Sequence, residues 1–179
     1  MRNTNTLWRI LLPKRRRASS EVTPRISLSS EARELIRREA ALYGEVETGG
    51  ILMGPAASAT EIRVTHASGP GPNAVHTPAH FLRDTEYCAR VLQEHYEKFG
   101  VDYVGEWHSH VDSLKVPSPG DLITLAGIMR DPDYDFQSFV MLLAVKTGRR
   151  RSRLELHGFV ATRNTVSKAV IKNYKPHDS

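Results

Sequence analysis

The sequence predicts an α/β or α+β sandwich, with helices packed on a mostly antiparallel or mixed sheet. Three observations predict it. Stretches with apolar residues at helical spacing interleave with stretches of strand character. One run, Phe139 to Val145, is continuously apolar, as in a central strand covered on both faces. Capping and turn residues punctuate the boundaries between these stretches. A chain of 179 residues that is 40% hydrophobic can build one ordinary core, and it shows no internal repeat. Residues 1–22 read as a weakly ordered basic arm, and residues 23–179 as the folded domain with a short C-terminal extension.

In order, Arg25 to Leu28 reads as a short strand, after which Ser29 or Ser30 caps a helix. Ala32, Leu35, Ile36, Ala40 and Tyr43 recur at helical spacing, and Gly44 ends the pattern. Thr48 to Met53 is a short apolar run, a buried strand, and Glu61 to Ala67 alternates. Together these two runs predict a hairpin. Ser68 to Pro78 is a loop by composition, and Thr77 to Arg83 is a candidate wall of a substrate groove. Asp84 caps a second helix that runs to about Phe99 and ends at Gly100. Asp102 to His110 reads as a strand. Ser118-Pro119 opens a third helix, with proline at its favoured first position, and Asp131-Pro132-Asp133 stops it. After the central strand, Thr147-Gly148-Arg149 turns the chain and Arg153 to Val160 returns it. Val166, Ala169, Val170 and Tyr174 recur at helical spacing and predict a closing helix.

Composition narrows the function classes. The single cysteine, Cys88, rules out an internal disulfide framework and cysteine-rich zinc sites, and it suits a reducing cytoplasm. Cys88 falls on the apolar side of its helix, where a small buried thiol is ordinary. The formal charge of +5 is concentrated in two clusters, Lys14–Arg17 and Arg149, Arg150, Arg151 and Arg153. Neither cluster comes with aromatic interleaving or a recognition motif, so both read as solvated surface rather than a nucleic-acid site. No stretch approaches the ~20 apolar residues of a membrane span. The charges near the start follow the short apolar stretch Leu7 to Leu12, the reverse of a secretory signal.

The chemistry is carried by Gly105-Glu106-Trp107-His108-Ser109-His110, then seven residues, Ser118, two residues and Asp121. Alternation along a strand puts the His108 and His110 imidazoles on one face. Asp121 then comes from the first turn of the next helix. Two histidines and a carboxylate leave one position open on a tetrahedral zinc, the catalytic rather than the structural pattern. Hydrolysis also needs a base outside the ligand set. Glu47, beside the neighbouring strand, and Glu106, on the same strand face as the histidines, both qualify, and spacing alone does not choose. Ser118 is a candidate for stabilising the developing oxyanion. Yet Ser118 and Asp121 also spell a helix-capping signature, which taken alone is the commoner meaning of that pair. His66, His76, His80 and His157 have no ligand spacing to one another.

These residues resemble the JAMM (MPN+) metalloprotease signature, and the chain looks like its compact prokaryotic JAB branch over about residues 25–160. The segment Glu47-Thr48-Gly49-Gly50-Ile51-Leu52-Met53-Gly54 is similar to the family's first motif strand. The resemblance implies a JAB/MPN sandwich, a curved mixed sheet flanked by helices. It implies one Zn2+ per chain held by His108, His110 and Asp121, with Glu47 as general base and Ser118 assisting the tetrahedral intermediate. Glu106 is then a neighbour. It further implies a cytoplasmic isopeptidase that cleaves after the C-terminal glycine of ubiquitin or a ubiquitin-like protein. Similar bacterial proteins act beside ubiquitin-activating-like and conjugating-like enzymes, including in antiphage operons. One departure is Val111, where many members have proline, and its effect is expected on the shape of the following loop. Two other readings are a non-catalytic scaffold of this fold, which usually goes with lost ligands, and a DNA-associated relative acting through the basic clusters. A zinc nucleoside deaminase would need a cysteine pair that the chain lacks.

Overall fold

A computed structural model describes residues 23–55, 61–147 and 153–174. The Lys14–Arg17 cluster, most of the Arg149–Arg153 cluster and the Thr147-Gly148-Arg149 turn beyond Thr147 lie outside them. The described strands are β1 (Arg25–Leu28), β2 (Gly49–Gly54), β3 (Glu61–Val64), β4 (His66–Ala67), β5 (Val75–Thr77), β6 (His80–Leu82), β7 (Asp102–His110), β8 (Phe139–Thr147), β9 (Arg153–Ala161) and β10 (Val166–Asn173). The helices are α1 (Ser30–Leu42), α2 (Thr85–Phe99) and α3 (Pro119–Ile128). Eight strands form one mixed sheet in the order β3-β1-β10-β9-β8-β7-β2-β4, and β5 and β6 form a separate hairpin. The pairs β1–β3, β1–β10 and β7–β8 are parallel, and the other pairs are antiparallel. This is the flanked mixed sheet that the sequence predicts.

The central strand explains the layering. In β8, Val140, Leu142 and Ala144 join the core under α1, where Ala32, Ile36 and Ala40 are fully buried. Phe139, Met141, Leu143 and Val145 join a second core with Leu125 and Met129 from α3 and its end. A third cluster packs Ile51 and Met53 of β2 against Cys88 of α2. Both faces of β8 are therefore dry, which is why its sequence is continuously apolar.

The caps form as the side chains demand. Ser29 Oγ accepts from the Ala32 N–H at 3.0 Å, and the Asp84 carboxylate accepts from the Tyr87 N–H at 3.0 Å. Gly100 closes α2 in the left-handed region, with φ 63°.

Three expectations are corrected. Val166–Asn173 is a strand, not a closing helix. Its β-branched residues suit a pleated surface, and Thr162 and Thr165 fold the chain straight back onto β9. Val166 and Val170, which carried the helical spacing, are 40% and 46% exposed, while Ala169 alone is buried. The predicted β2–β3 hairpin splits: β4 pairs with β2, but β3 pairs with β1 across the sheet. The loop from Ser68 contains β5, which pairs with β6, so its second half is a hairpin arm.

Candidate metal centre

Register brings the site together. His108 lies beside Leu143 and His110 beside Val145 on the parallel neighbour β8, so both imidazoles share the face covered by α3. Trp107 and Ser109 point the other way and lock β7 in place. Trp107 Nε1 donates to the Ser68 carbonyl at 2.9 Å, and Ser109 Oγ accepts from the Thr48 N–H at 3.0 Å. On the other side, Gly49 of β2 faces His108. A Cβ at Gly49 would lie 2.3 Å from the Trp107 carbonyl oxygen and 2.7 Å from the Phe81 ring, so the close approach of hairpin and strands needs glycine there.

His108 Nε2 and His110 Nε2 stand 3.0 Å apart. Asp121 bridges them, with Oδ1 3.2 Å from His108 and Oδ2 3.4 Å from His110. One potential ligand atom from each residue lies within 4.8 Å of the others. His110 is nearly buried, and its Nδ1–H donates to the Leu114 carbonyl at 2.8 Å. That bond fixes a proton on Nδ1 and makes Nε2, which faces Asp121, the atom that would take a metal once its own proton is given up. The donor set of two imidazoles and one carboxylate, with the second nitrogen of His110 anchored, fits a divalent metal ion.

Asp121 is aimed by the helix it belongs to. Ser118 is the α3 N-cap and forms a full capping box with Asp121. The Ser118 N–H donates to Asp121 Oδ2 at 2.7 Å, and Ser118 Oγ accepts from the Asp121 N–H at 3.2 Å. The capping meaning and the ligand geometry of this pair therefore coexist. Burial by itself would raise the Asp121 carboxyl, but hydrogen bonds from His108 and His110 outweigh it and hold the group well below the usual carboxylate range. Burial would lower His110, but its bonds to Asp121 and to the Leu114 carbonyl raise it overall.

Glu47 precedes β2. The Thr48–Ser109 bonds carry the β2–β7 pairing one step beyond Gly49 and His108, so Glu47 is brought alongside the end of β7. Partial burial raises its carboxyl above the ordinary value, against the opposing pull of His108 and His110 and with a smaller push from Asp121. Glu106 does share the histidine face, but its carboxylate is engaged. It pairs with Arg83 and accepts from the Tyr103 hydroxyl at 2.5 Å. Burial first, and then Glu106, raise the Tyr103 phenol, so it stays a donor to that carboxylate. Val111 is buried, and the loop after it turns through Ser113 in the left-handed region at φ 64°.

Of the remaining histidines, His66 stacks on Phe99, His157 lies 3.4 Å from Glu155, and His80 is exposed on β6. His76 is different. Its Nδ1–H donates to the Glu47 carbonyl at 2.9 Å. Sequence spacing did not single out His76, Lys146, Arg83 or Tyr103. The one available signal was Lys146, a charge directly after the apolar run of β8.

Residues 29–156, more than half of the chain, match the family described as prokaryotic homologs of the JAB domain. The chain belongs to the prokaryotic JAB family. A Sinorhizobium fredii protein named "Probable metalloprotease y4qB" is 32% identical over 113 residues, covering 62% of this chain and 69% of that protein. A CD-NTase/cGAS isopeptidase of Enterobacter hormaechei is 31% identical over 120 residues, 66% of each chain. The solution structure of a Desulfitobacterium hafniense protein superposes with a TM-score of 0.63 at 19% identity, covering 86% of this chain and 95% of that one, and so shares the JAB fold.

Proposed function

We propose that this JAB protein is a zinc-dependent isopeptidase or peptidase that hydrolyses the bond after the C-terminal glycine of ubiquitin or a ubiquitin-like protein. The observation that carries this reading is the convergence of His108 Nε2, His110 Nε2 and the Asp121 carboxylate, with His110 Nδ1 anchored on Leu114. His108, His110 and Asp121 would hold the metal, one ion per chain. Zinc there supplies Lewis acidity to the scissile amide and to the attacking water.

The remaining work falls to the protein. Glu47 takes the proton from water and returns it to the leaving amine. Its burial raises the carboxyl toward the range a proton shuttle needs. Ser118 offers its hydroxyl to the oxyanion from the N-terminus of α3, where the helix dipole also favours negative charge. Glu106 is already satisfied by Arg83 and Tyr103, which favours Glu47 as the base.

The relatives named as a metalloprotease and an isopeptidase support hydrolysis of a peptide or isopeptide bond. The substrates are ubiquitin-like conjugates or precursors, and the partners are ubiquitin-activating-like and conjugating-like enzymes of a bacterial antiphage system in the cytoplasm. Among the described residues no helix is long and apolar enough to cross a membrane. Residues 23–179 make up the proposed catalytic domain, and the basic stretch 1–22 lies outside the described residues.

Metal analysis paired with a panel of ubiquitin-like fusions tests the reading. Glu47→Ala should keep its metal and lose cleavage, whereas His110→Ala and Asp121→Ala should lose both. Equal metal loss in all three would make Glu47 a ligand, and full cleavage by Glu47→Ala would move the base role elsewhere.

A further inference from the structure

We propose that His76 and Lys146 are positioning residues for Glu47: they hold the main chain on either side of it, and so fix where its carboxylate sits beside the end of β7. The inference rests on the reading of Glu47 as the base.

The need for such a device is visible in the chain path. Helix α1 ends at Leu42 and β2 begins at Gly49, so Glu47 sits in a stretch with no regular structure of its own. A base must keep its carboxylate within hydrogen-bond reach of the proton it moves. Main-chain bonds from outside this stretch supply the rigidity.

Lys146 is 4% exposed, a rare state for lysine. Its Nζ donates to the Tyr43 carbonyl at 2.8 Å and the Gly44 carbonyl at 3.0 Å, and reaches the Val46 carbonyl at 3.5 Å. These are carbonyls at and beyond the end of α1, where a helix leaves acceptors unsatisfied and favours a cation. Lys146 directly follows Val145, the register partner of His110. The side chain therefore measures the Glu47 segment against the strand pair that carries the histidines. Its own carbonyl accepts from Ser113 Oγ at 3.3 Å, tying in the loop that follows His110.

His76 acts from the opposite side. Its bond to the Glu47 carbonyl is accompanied by a bond from the Glu47 N–H to the Thr77 carbonyl at 2.9 Å. The His76 ring stacks on Tyr43 with centroids 4.1 Å apart and leans on Phe81 at 5.4 Å. Both main-chain polar groups of Glu47 are thus held by β5, and the turn before it by β8. Neither His76 nor Lys146 is among the proposed metal ligands.

The test compares Lys146→Met and His76→Phe with the parent and with Glu47→Gln. Lys146→Met keeps the apolar stem, and His76→Phe keeps a ring on Tyr43. Each should lower kcat by about 10- to 100-fold, the scale of a small misplacement of a catalytic group. KM should stay within about threefold, because substrate binding is not addressed. Bound metal should stay at the parent stoichiometry. In the metal-free protein, amide exchange of residues 43–48 should be faster in both variants, a readout independent of turnover. His76→Asn, whose amide can replace the Nδ1 donor, should recover most of the rate lost in His76→Phe, and Lys146→Leu, which also lacks the donor, serves if Lys146→Met does not fold. Parent-like kcat in His76→Phe and the folded Lys146 variant, with Glu47→Gln inactive, would overturn the proposal. So would metal loss in step with kcat. Full activity in Glu47→Gln would instead overturn the reading of Glu47 itself.

Discussion

Ser118 shows how one residue can answer two demands. Its hydroxyl caps α3 while the capping box turns the Asp121 carboxylate toward His108 and His110. In sequence the pair Ser118 and Asp121 was ambiguous, because capping boxes are common. The ambiguity had a physical origin: the helix terminus itself presents the carboxylate. Substitution separates the two demands. Ser118→Ala should cost about 1 kcal/mol in denaturant unfolding, the usual value of a lost cap. Ser118→Asn retains a good cap and should unfold like the parent. If the hydroxyl meets the oxyanion, both variants should lose about 100-fold in kcat. Equal activity of Ser118→Asn and the parent would reduce Ser118 to a cap. The rivalry of Glu47 and Glu106 was likewise open in sequence, since what distinguishes them is the engagement of Glu106 by Arg83, from the end of a hairpin 23 positions away.

At the scale of elements, α2 carries two predictions. Hydrogen bonds from the Tyr87 N–H first, and then from Asn73, hold the Asp84 carboxyl below its ordinary value. A depressed carboxyl stabilises the fold above its unfolded-state pKa of about 3.9 and loses that contribution as pH falls through the lower folded value. Asp84→Asn keeps a capping side chain without the charge. Its stability deficit at neutral pH should therefore shrink as thermal melts are repeated in acid below about pH 4. Burial, the largest influence on Cys88, raises its thiol. Cys88 should react slowly with a thiol reagent in the native protein and rapidly after denaturation. Fast native labelling would mean that α2 opens readily. Elements with a local cause are legible in sequence: the Asp84 and Ser118 caps, the alternation of β7 and the apolar run of β8, whereas Ser29 and Ser30 compete for the α1 cap until the structure selects Ser29. Strand β10 is not legible, because its half-exposed Val166 and Val170 imitate a helix stripe and its partners, β1 and β9, include one more than 130 residues earlier. The β2–β3 hairpin failed for the same reason, since β3 leaves its sequence neighbour for β1.

Across the whole molecule, two cores share β8. Leu142 is fully buried in the α1 layer, so Leu142→Ala should destabilise by about 2–5 kcal/mol in equilibrium unfolding. The proposed metal residues lie at the edge of this packing, with His108 and Asp121 13% and 19% exposed. Removing metal with a chelator should therefore lower the melting temperature, as loss of a native-state ligand does, yet leave the far-ultraviolet circular dichroism unchanged at room temperature. Unfolding on chelation would make the ion structural. The sheet order has a further consequence for how the protein comes into being. Strand β1 precedes every other described strand and lies between β3 and β10, and β10 follows them all. On the ribosome, β1 and β3 can pair early, and the chain after β3 reaches β2 through the bond from the Thr65 N–H to the Met53 carbonyl, but β1 joins the strand ladder of the main sheet only when β10 emerges. Everything that forms the metal centre is synthesised before that moment. The same order warns against trimming: a chain cut to the family-matched residues 29–156 would lack β1 and β10, and β3 would be left without a neighbouring strand. The final strand is thus a closing staple, and synthesis of an active JAB protein should be sensitive to any stop codon that falls before Asn173.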